Sequence, residues 1–331
     1  MRVFATGAAG YVGSHCVRAL CDAGHEVVVF DNLSTGHRRA VDDRADFVHG
    51  DLADRDLLDA TLGRGGFDGV VHFAASLDVN ESVGDPLKYF RNNVVNTIGL
   101  LEVMQEAGIL RLVFSSTCAT YGIPPSVPIT ENMPQDPINP YGHTKLAMEW
   151  AMRDCAEGWN LGSCALRYFN AAGAAADGTM GEDHHPEPHL IPIILQVAAG
   201  KRDQVHIYGL DYPTPDGTAV RDYVHVEDLA EVHRRVLESQ EPGVFRFYNV
   251  GTGVGSSVKQ VIEAARRVTG HEIPARPSAR RAGDPPELYA DPAKIMRELG
   301  WRPKYTDIAA TVETAWCWHS THPEGFADDE S

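Results

Sequence analysis

Apolar residues fall along the chain in short, separated runs. Val3-Phe-Ala5 within residues 2 to 6, Val27-Val-Val-Phe30, Phe47-Val48, Val70-Val-His-Phe73, Leu112-Val-Phe114 and Ala165-Leu166 are too brief for helices. They read as strands buried on both faces, the pattern of a parallel sheet. Between them lie stretches of helical spacing at about 14–23, ended by Gly24, and at 54–62, 93–106 and 144–155. Alternating strand and helix predict an α/β fold built on a doubly wound parallel sheet. Past about residue 175 prolines crowd in, from Pro186 and Pro188 to Pro285 and Pro286, and helical spacing returns at 226–239, 257–269, 292–299 and 308–319. This predicts a first domain over 1–174 and a smaller, loop-rich α/β lobe over 175–331, some of whose strands and helices return to the first domain.

With 331 residues, 43% of them hydrophobic, the chain can bury one large core or two modest ones. Charge narrows the partners. Lys and Arg number 29 against 46 Asp and Glu, a net charge of −17 that repels polyanions, so no nucleic-acid partner is expected. A small anion could still bind where arginines and a helix N-terminus make a local positive patch. The first residues lack a signal-peptide pattern and no apolar run reaches membrane-spanning length, so we expect a cytoplasmic protein without a membrane partner. The six cysteines form no CxxC pair and are expected to be reduced.

Gly7, Gly10 and Gly13 follow the first strand and open the first helix. Glycine suits that turn because backbone must approach a pyrophosphate closely and the helix must pack against the strand. Free N–H groups at the helix start then face the phosphates, which marks the sheet as Rossmann-type. Asp31 ends the second strand 18 residues past Gly13. A carboxylate there accepts ribose hydroxyls and repels a 2′-phosphate, so the expected cofactor is NAD. Arg38 and Arg39 would favour NADP but stand a turn or more further on. Asp51-Leu52 and Phe73-Ala-Ala75 occupy strand ends that could line an adenine and ribose pocket, or serve merely as loop and core.

Ser115-Ser-Thr117 closes the fifth strand, and 24 residues after Thr117 comes Tyr141-Gly-His-Thr-Lys145. Tyr and Lys four apart on a helix share one face. For a tyrosine to act as base near neutrality its pKa must fall by about 3 units, or about 4 kcal/mol. A cation at about 4 Å in an effective dielectric of about 20 supplies energy of that order. Lys145 is therefore the partner of a catalytic Tyr141, with the Thr117 hydroxyl placed for a substrate oxygen.

Taken together these residues resemble the extended short-chain dehydrogenase/reductases and, within them, the UDP-glucose (UDP-galactose) 4-epimerases. The likeness is carried by Thr6 to His15, Phe30-Asp-Asn-Leu33, Phe114 to Thr117 with Ala119-Thr-Tyr-Gly122, Pro140-Tyr-Gly142, Leu166-Arg-Tyr-Phe-Asn170, Asp211-Tyr-Pro-Thr214, Arg221-Asp-Tyr-Val-His-Val226 and Arg280-Arg-Ala-Gly-Asp284. The resemblance implies a bound NAD that is reduced and restored within each turnover of a UDP-sugar. It implies cofactor contacts from Tyr11, Val12, Asp31, Asn32, Asp51, Leu52, Phe73, Ala74, Ala75, Asn92, Lys145 and Tyr168. It implies nucleotide-sugar contacts from Asn170, His189, Leu190, His206, Ile207, Tyr208, Arg221, Arg281 and Asp284, with Leu288 at the position that gates N-acetylated sugars. Leu77 stands where the family often carries a lysine, and Thr117 where it often carries serine.

Other readings compete. Epimerisation of a UDP-N-acetylhexosamine or UDP-pentose uses the same C4 chemistry. A nucleotide-sugar 4,6-dehydratase is disfavoured because Cys118-Ala119 replace the Asp-Glu it requires, and a non-catalytic NAD sensor because the Tyr–Lys pair is present. Cys118 is read as a packing residue. In Glu182-Asp-His-His-Pro-Glu-Pro-His189 the prolines deny a helical ligand face, so the segment is read as a polar substrate-side loop and no metal is expected. Apolar positions beyond one face on the 93–106 helix and on the helix of Tyr141 predict a homodimer.

Overall fold

A computed structural model of the chain describes residues 1–281 and 284–327. The strands are β1 (Arg2–Thr6), β2 (Glu26–Asp31), β3 (Asp46–His49), β4 (Gly69–His72), β5 (Arg111–Thr117), β6 (Gly162–Tyr168) and β7 (Asn170–Ala172). They continue with β8 (Val205–Tyr208), β9 (Val220–His225), β10 (Phe245–Val250), β11 (Gly255–Ser257), β12 (Ala275–Ser278) and β13 (Glu287–Leu288). Seven of them form one sheet in the order β10-β6-β5-β4-β1-β2-β3. The β1–β2, β1–β4, β2–β3 and β4–β5 pairs are parallel. Val3, Phe4 and Ala5 of the central β1 are fully buried, as a strand covered on both faces demands.

Strand order reverses between β1 and β4: the chain runs outward through β2 and β3, then returns to build β4, β5 and β6 on the other side. At such a switch point two loops leave the carboxyl ends of neighbouring strands in opposite directions and open a crevice. The glycine turn after β1 and Phe73 after β4 both sit there.

Several helices begin earlier than their apolar spacing suggested. The first spans Tyr11–Asp22, with Gly10 as its N-cap. The helix of the Tyr–Lys pair spans Pro140–Trp159: Asn139 caps it by accepting from Gly142 N, and Pro140 pre-sets the first turn. The helix Leu190–Ala198 went unpredicted because it is short, almost wholly apolar and carries a proline at its third position. The later helices Val226–Glu238, Val258–Thr269, Ala293–Leu299 and Ile308–Thr321 lie close to the predicted spans.

The chain forms two compact units: the first comprises Met1–Ile123, Pro134–Arg167 and Ala230–Tyr248, the second Pro124–Met133, Tyr168–Leu229 and the chain from Asn249. Each has its own core, one around Phe4, Leu100, Phe114 and Met152, the other around Ile194, Leu195, Val261 and Val312. In the second unit the fully buried Asp222 of β9 accepts from Thr252 N (2.9 Å), Thr252 Oγ1 (2.7 Å), Gly253 N (3.2 Å) and Ala290 N (3.1 Å). Replacing Asp222 with Ala strands those donors away from water and should cost about 3 kcal/mol or more. The expected observation is a clear drop in the urea midpoint; an unchanged midpoint would contradict this role.

Candidate active site

The turn after β1 requires glycine for two separate reasons. Gly7 has φ +66°, and a Cβ there would stand 2.3 Å from Ala74 N; at Gly13 a Cβ would stand 2.6 Å from Ala8 Cα. Backbone therefore packs where side chains would otherwise lie. No side chain caps the following helix, so N–H groups of its first turn, such as those of Val12 and Gly13, can face a ligand anion.

Asp31 closes β2 beside this turn and is only 7% exposed. Its carboxylate accepts from Ala9 N (2.9 Å) and Leu33 N (2.8 Å). Burial raises its pKa, and those two N–H groups pull it back. Each oxygen keeps a lone pair for a further donor. Next to it, Asn32 Nδ2 donates to Asp51 Oδ2 at 2.7 Å, which brings two more of the expected residues together. Leu52 packs against the first core. Phe73 N and Ala74 N both donate to Thr6 O (2.9 and 3.1 Å), placing Phe73, Ala74 and Ala75 at the switch point.

Asn92 donates to Ser76 Oγ at 3.2 Å, but its neighbour Asn93 does more. Buried Asn93 accepts from Ser76 N (2.8 Å) and donates to Ser76 O (3.0 Å) and Thr144 Oγ1 (3.1 Å). It thus ties the loop after β4 to the helix carrying Tyr141. Asn92 is the residue expected at the cofactor; the anchoring role of its neighbour Asn93 was not read from the sequence.

On that helix Lys145 Nζ lies 5.8 Å from the Tyr141 ring centroid and 4.8 Å from that of Phe114, and donates to Ser115 O at 2.8 Å. Tyr141 is half-buried and Lys145 buried. The expectation of a fixed cation needs a physical correction. Burial lowers the Lys145 pKa to about 7, with the negative charge of Glu149 opposing the fall. Thr117, at the end of β5, accepts from Ala119 N at 3.1 Å through its Oγ1, leaving the hydroxyl proton to donate elsewhere.

Beneath the pair lies a buried network that the motif search missed. Glu149 accepts from Ser116 Oγ (2.5 Å), Arg167 Nη2 (2.5 Å) and Gln135 Nε2 (3.1 Å), and Arg167 donates to Tyr121 Oη at 2.7 Å. Its one sequence signal is spacing, because Tyr141, Lys145 and Glu149 recur every fourth residue on one face. His72, bonded to Thr6 (2.6 Å) and Thr97 (2.8 Å), and His225, bonded to Thr314 (3.0 Å) and stacked on Tyr305, are structural histidines. None of the six cysteines forms a disulfide.

In the second unit Asn170 opens β7 opposite Tyr223, and half-buried Tyr168 precedes it. Arg221 donates to Asp284 Oδ1 at 2.9 Å and is the register partner of Leu288. Arg281 lies over the Tyr208 ring at 4.2 Å, and His206 contacts Ser278 Oγ at 2.9 Å. Ile207, between two exposed neighbours on β8, packs into the core, because alternate strand residues face opposite sides. That leaves only its backbone for a ligand. Ala282 and Gly283 of the Arg280–Asp284 motif lie outside the described residues. His189 occupies the N-cap position of the helix Leu190–Ala198, and Leu190 packs on the second core; His189 sits with Glu182, His184 and Glu187 in one cluster.

Residues 3–251 match the model of the NAD dependent epimerase/dehydratase family. A UDP-glucose 4-epimerase of Lacticaseibacillus casei is 54% identical over 329 residues, covering 99% of each chain. The chain belongs to the UDP-glucose 4-epimerase family. Among solved structures, a Brucella ovis UDP-glucose 4-epimerase in complex with NAD matches with a TM-score of 0.91 and 47% identity over 95% of this chain and 97% of that one. A Bifidobacterium longum UDP-glucose 4-epimerase in complex with NAD+ and UDP matches with a TM-score of 0.94 and 37% identity, over 98% of this chain and 100% of that one. The residues present fit the family's NAD: a turn that admits backbone only, uncapped helix N–H groups, and an acidic strand end with lone pairs to spare.

Lys145 also leaves a mark on stability. Unfolded, it holds its proton up to about 10.5, but folded only to about 7. Between these values the unfolded state carries the extra proton, so this residue makes stability rise with pH across that window. Lys145→Met removes the contribution. The variant-minus-wild-type difference in unfolding free energy should be more positive at pH 7 than at pH 10; equal differences would show that burial does not shift Lys145.

Proposed function

We propose that this protein is an NAD-dependent isomerase that interconverts UDP-glucose and UDP-galactose through a transient 4-keto sugar. The reading rests on the Lys145 ammonium position 5.8 Å from the Tyr141 ring, in a chain with whole-length relatives that are UDP-glucose 4-epimerases. A C4–H beside a hydroxyl is not acidic, so this centre cannot be inverted by deprotonation alone. NAD, when bound, would supply a reversible hydride acceptor for C4, and inversion follows if the 4-keto sugar turns over before its other face takes the hydride back. Tyr141 takes the proton of the 4-hydroxyl and later gives it back. Lys145, charged, favours the phenolate and so makes that transfer accessible near neutrality. Thr117 donates its free hydroxyl proton to the sugar oxygen and holds it toward Tyr141.

Gly7, Gly10 and Gly13 admit the pyrophosphate, and Asp31 accepts the ribose hydroxyls, with Asn32, Asp51, Leu52, Phe73 to Ala75, Asn92 and Tyr168 around the cofactor. Arg221 and Arg281 neutralise the UDP diphosphate in a chain of net charge −17, which would otherwise repel it. Asn170, His189, Leu190, His206, Tyr208, Asp284 and Leu288 complete the nucleotide-sugar contacts. Tyr141→Phe should lower turnover of UDP-galactose, assayed without added NAD, by about 10²–10⁴-fold while copurified NAD is retained. Near-normal turnover would remove Tyr141 as the base.

We further read the protein as a cytoplasmic homodimer. Among the described residues no helix is long and apolar enough to cross a membrane. In the first unit Trp150 on the Pro140–Trp159 helix is 52% exposed, with Val95 at 59% and Ile98 at 43% on the helical stretch that packs beside it. Large apolar side chains left in water on packed helices mark an association surface. Light scattering should report a dimer for the wild type and a monomer for the double variant Ile98→Glu, Trp150→Glu; a monomeric wild type would remove this reading.

A further inference from the structure

The Glu182–His189 loop contains no helix, yet the fold gathers its ligand-bearing residues. Glu182, His184, Glu187 and His189 each offer one ligand atom, and these four atoms all lie within 4.8 Å of one another. His189 Nδ1 is 2.6 Å from Glu182 Oε1 and 3.2 Å from Glu187 Oε1. His184 Nδ1 is 3.3 Å from Glu182 Oε1 and 3.7 Å from Glu187 Oε2. The glutamate side chains are 4% and 3% exposed, the His184 side chain 13%.

Proximity here is not ordinary hydrogen bonding. Glu182 Oε1 and His189 Nδ1 are buried atoms that make no aligned hydrogen bond, despite their short separation. In a hydrogen-bonded cluster each ring N–H aims at its own oxygen. Here four ligand-type atoms lie within 4.8 Å of one another, and the closest pair of them lacks that alignment. Two buried carboxylates also demand about two positive charges nearby.

We propose that Glu182, His184, Glu187 and His189 form a structural site for one divalent transition-metal ion, of which Zn²⁺ is the best match. Two imidazole nitrogens and two carboxylate oxygens make a complete four-ligand set, and a site with no open position is structural rather than catalytic. Bond lengths of about 2.0–2.2 Å in a tetrahedron place neighbouring ligand atoms about 3.3–3.6 Å apart. With Oε2 as the Glu187 ligand, the 3.3 Å His184–Glu182 and 3.7 Å His184–Glu187 separations lie close to that spacing, and the 2.6 Å His189–Glu182 pair is the one an ion would part. The ion fastens a loop otherwise held by few regular elements. Trp318 Nε1 donates to Glu182 O at 3.3 Å at one end of it, and His189 occupies the N-cap position of the helix Leu190–Ala198 at the other. On the epimerase reading, ligation through Nδ1 also keeps the His189 proton on Nε2, where it can serve a nucleotide-sugar oxygen.

The site is tested without reference to activity. Tag-free, full-length protein grown with zinc should carry about one Zn²⁺ per chain by elemental analysis. Stripping with dipicolinate should lower Tm, and ZnCl₂ alone should restore it. His184→Ala should weaken zinc affinity, measured against a chromophoric chelator, by at least the roughly 10–100-fold that losing even an outer partner of a metal site costs. Its far-ultraviolet circular dichroism should remain native. If wild-type protein neither retains zinc nor gains Tm on adding it, the cluster is an imidazolium–carboxylate network and the proposal is wrong; undiminished zinc affinity in His184→Ala overturns it equally. The wild-type comparison needs no variant to fold, and zinc content is read whether or not the protein epimerises sugars.

Discussion

Burying the Lys145 ammonium is the constraint around which the first unit is arranged. Charge taken out of water is costly, and here the Ser115 carbonyl, the face of Phe114 and the negative charge of Glu149 offset the cost only in part, so the Lys145 pKa falls to about 7. These partners come from the end of β5 and from the same helix. The ammonium survives only if that helix sits at one fixed place over the strand end. The Asn139 cap and the Asn93–Thr144 hydrogen bond hold it there. Glu149 is fixed in turn by Ser116, Arg167 and Gln135, so the lysine's charge state is controlled from below rather than by solvent.

The same end of the sheet carries the other half of the chemistry. Gly7, Asp31, Phe73 and Thr117 all follow or close parallel strands at their carboxyl ends, on the edge where strand order reverses. Parallel pairing makes this unavoidable: every strand delivers its terminal residue to one side. Residues far apart in sequence, from Gly7 to Lys145, share an edge without a dedicated scaffold. The close approach of Gly7 to Ala74 shows how little room that edge leaves for side chains near the turn.

The second unit is organised differently, by buried acids rather than by a cation. Asp222 gathers backbone donors from the turn after β10 and from Ala290, and Asp228 gathers Lys304 N and Tyr305 N. Such carboxylates replace regular pairing where short strands and prolines leave N–H groups unsatisfied. The Glu182–His189 loop extends this habit with two glutamates and two histidines in one cluster.

The first six strands, the glycine turn, Asp31 and the Tyr141–Lys145 pair were legible in the chain, since each depends on local period, on backbone freedom or on a four-residue step along one helix. Asn93, Arg167 and the Glu182–His189 cluster were not: their roles arise from neighbours 17 to 51 residues away, or from a loop whose path no repeat announces. Spacing by itself decided which residues can share a face. Tertiary structure decided what that face is buried against, and hence that Lys145 is a cation held at a cost and that Ile207 is core, because desolvation and side-chain convergence are properties of packed neighbours rather than of sequence order.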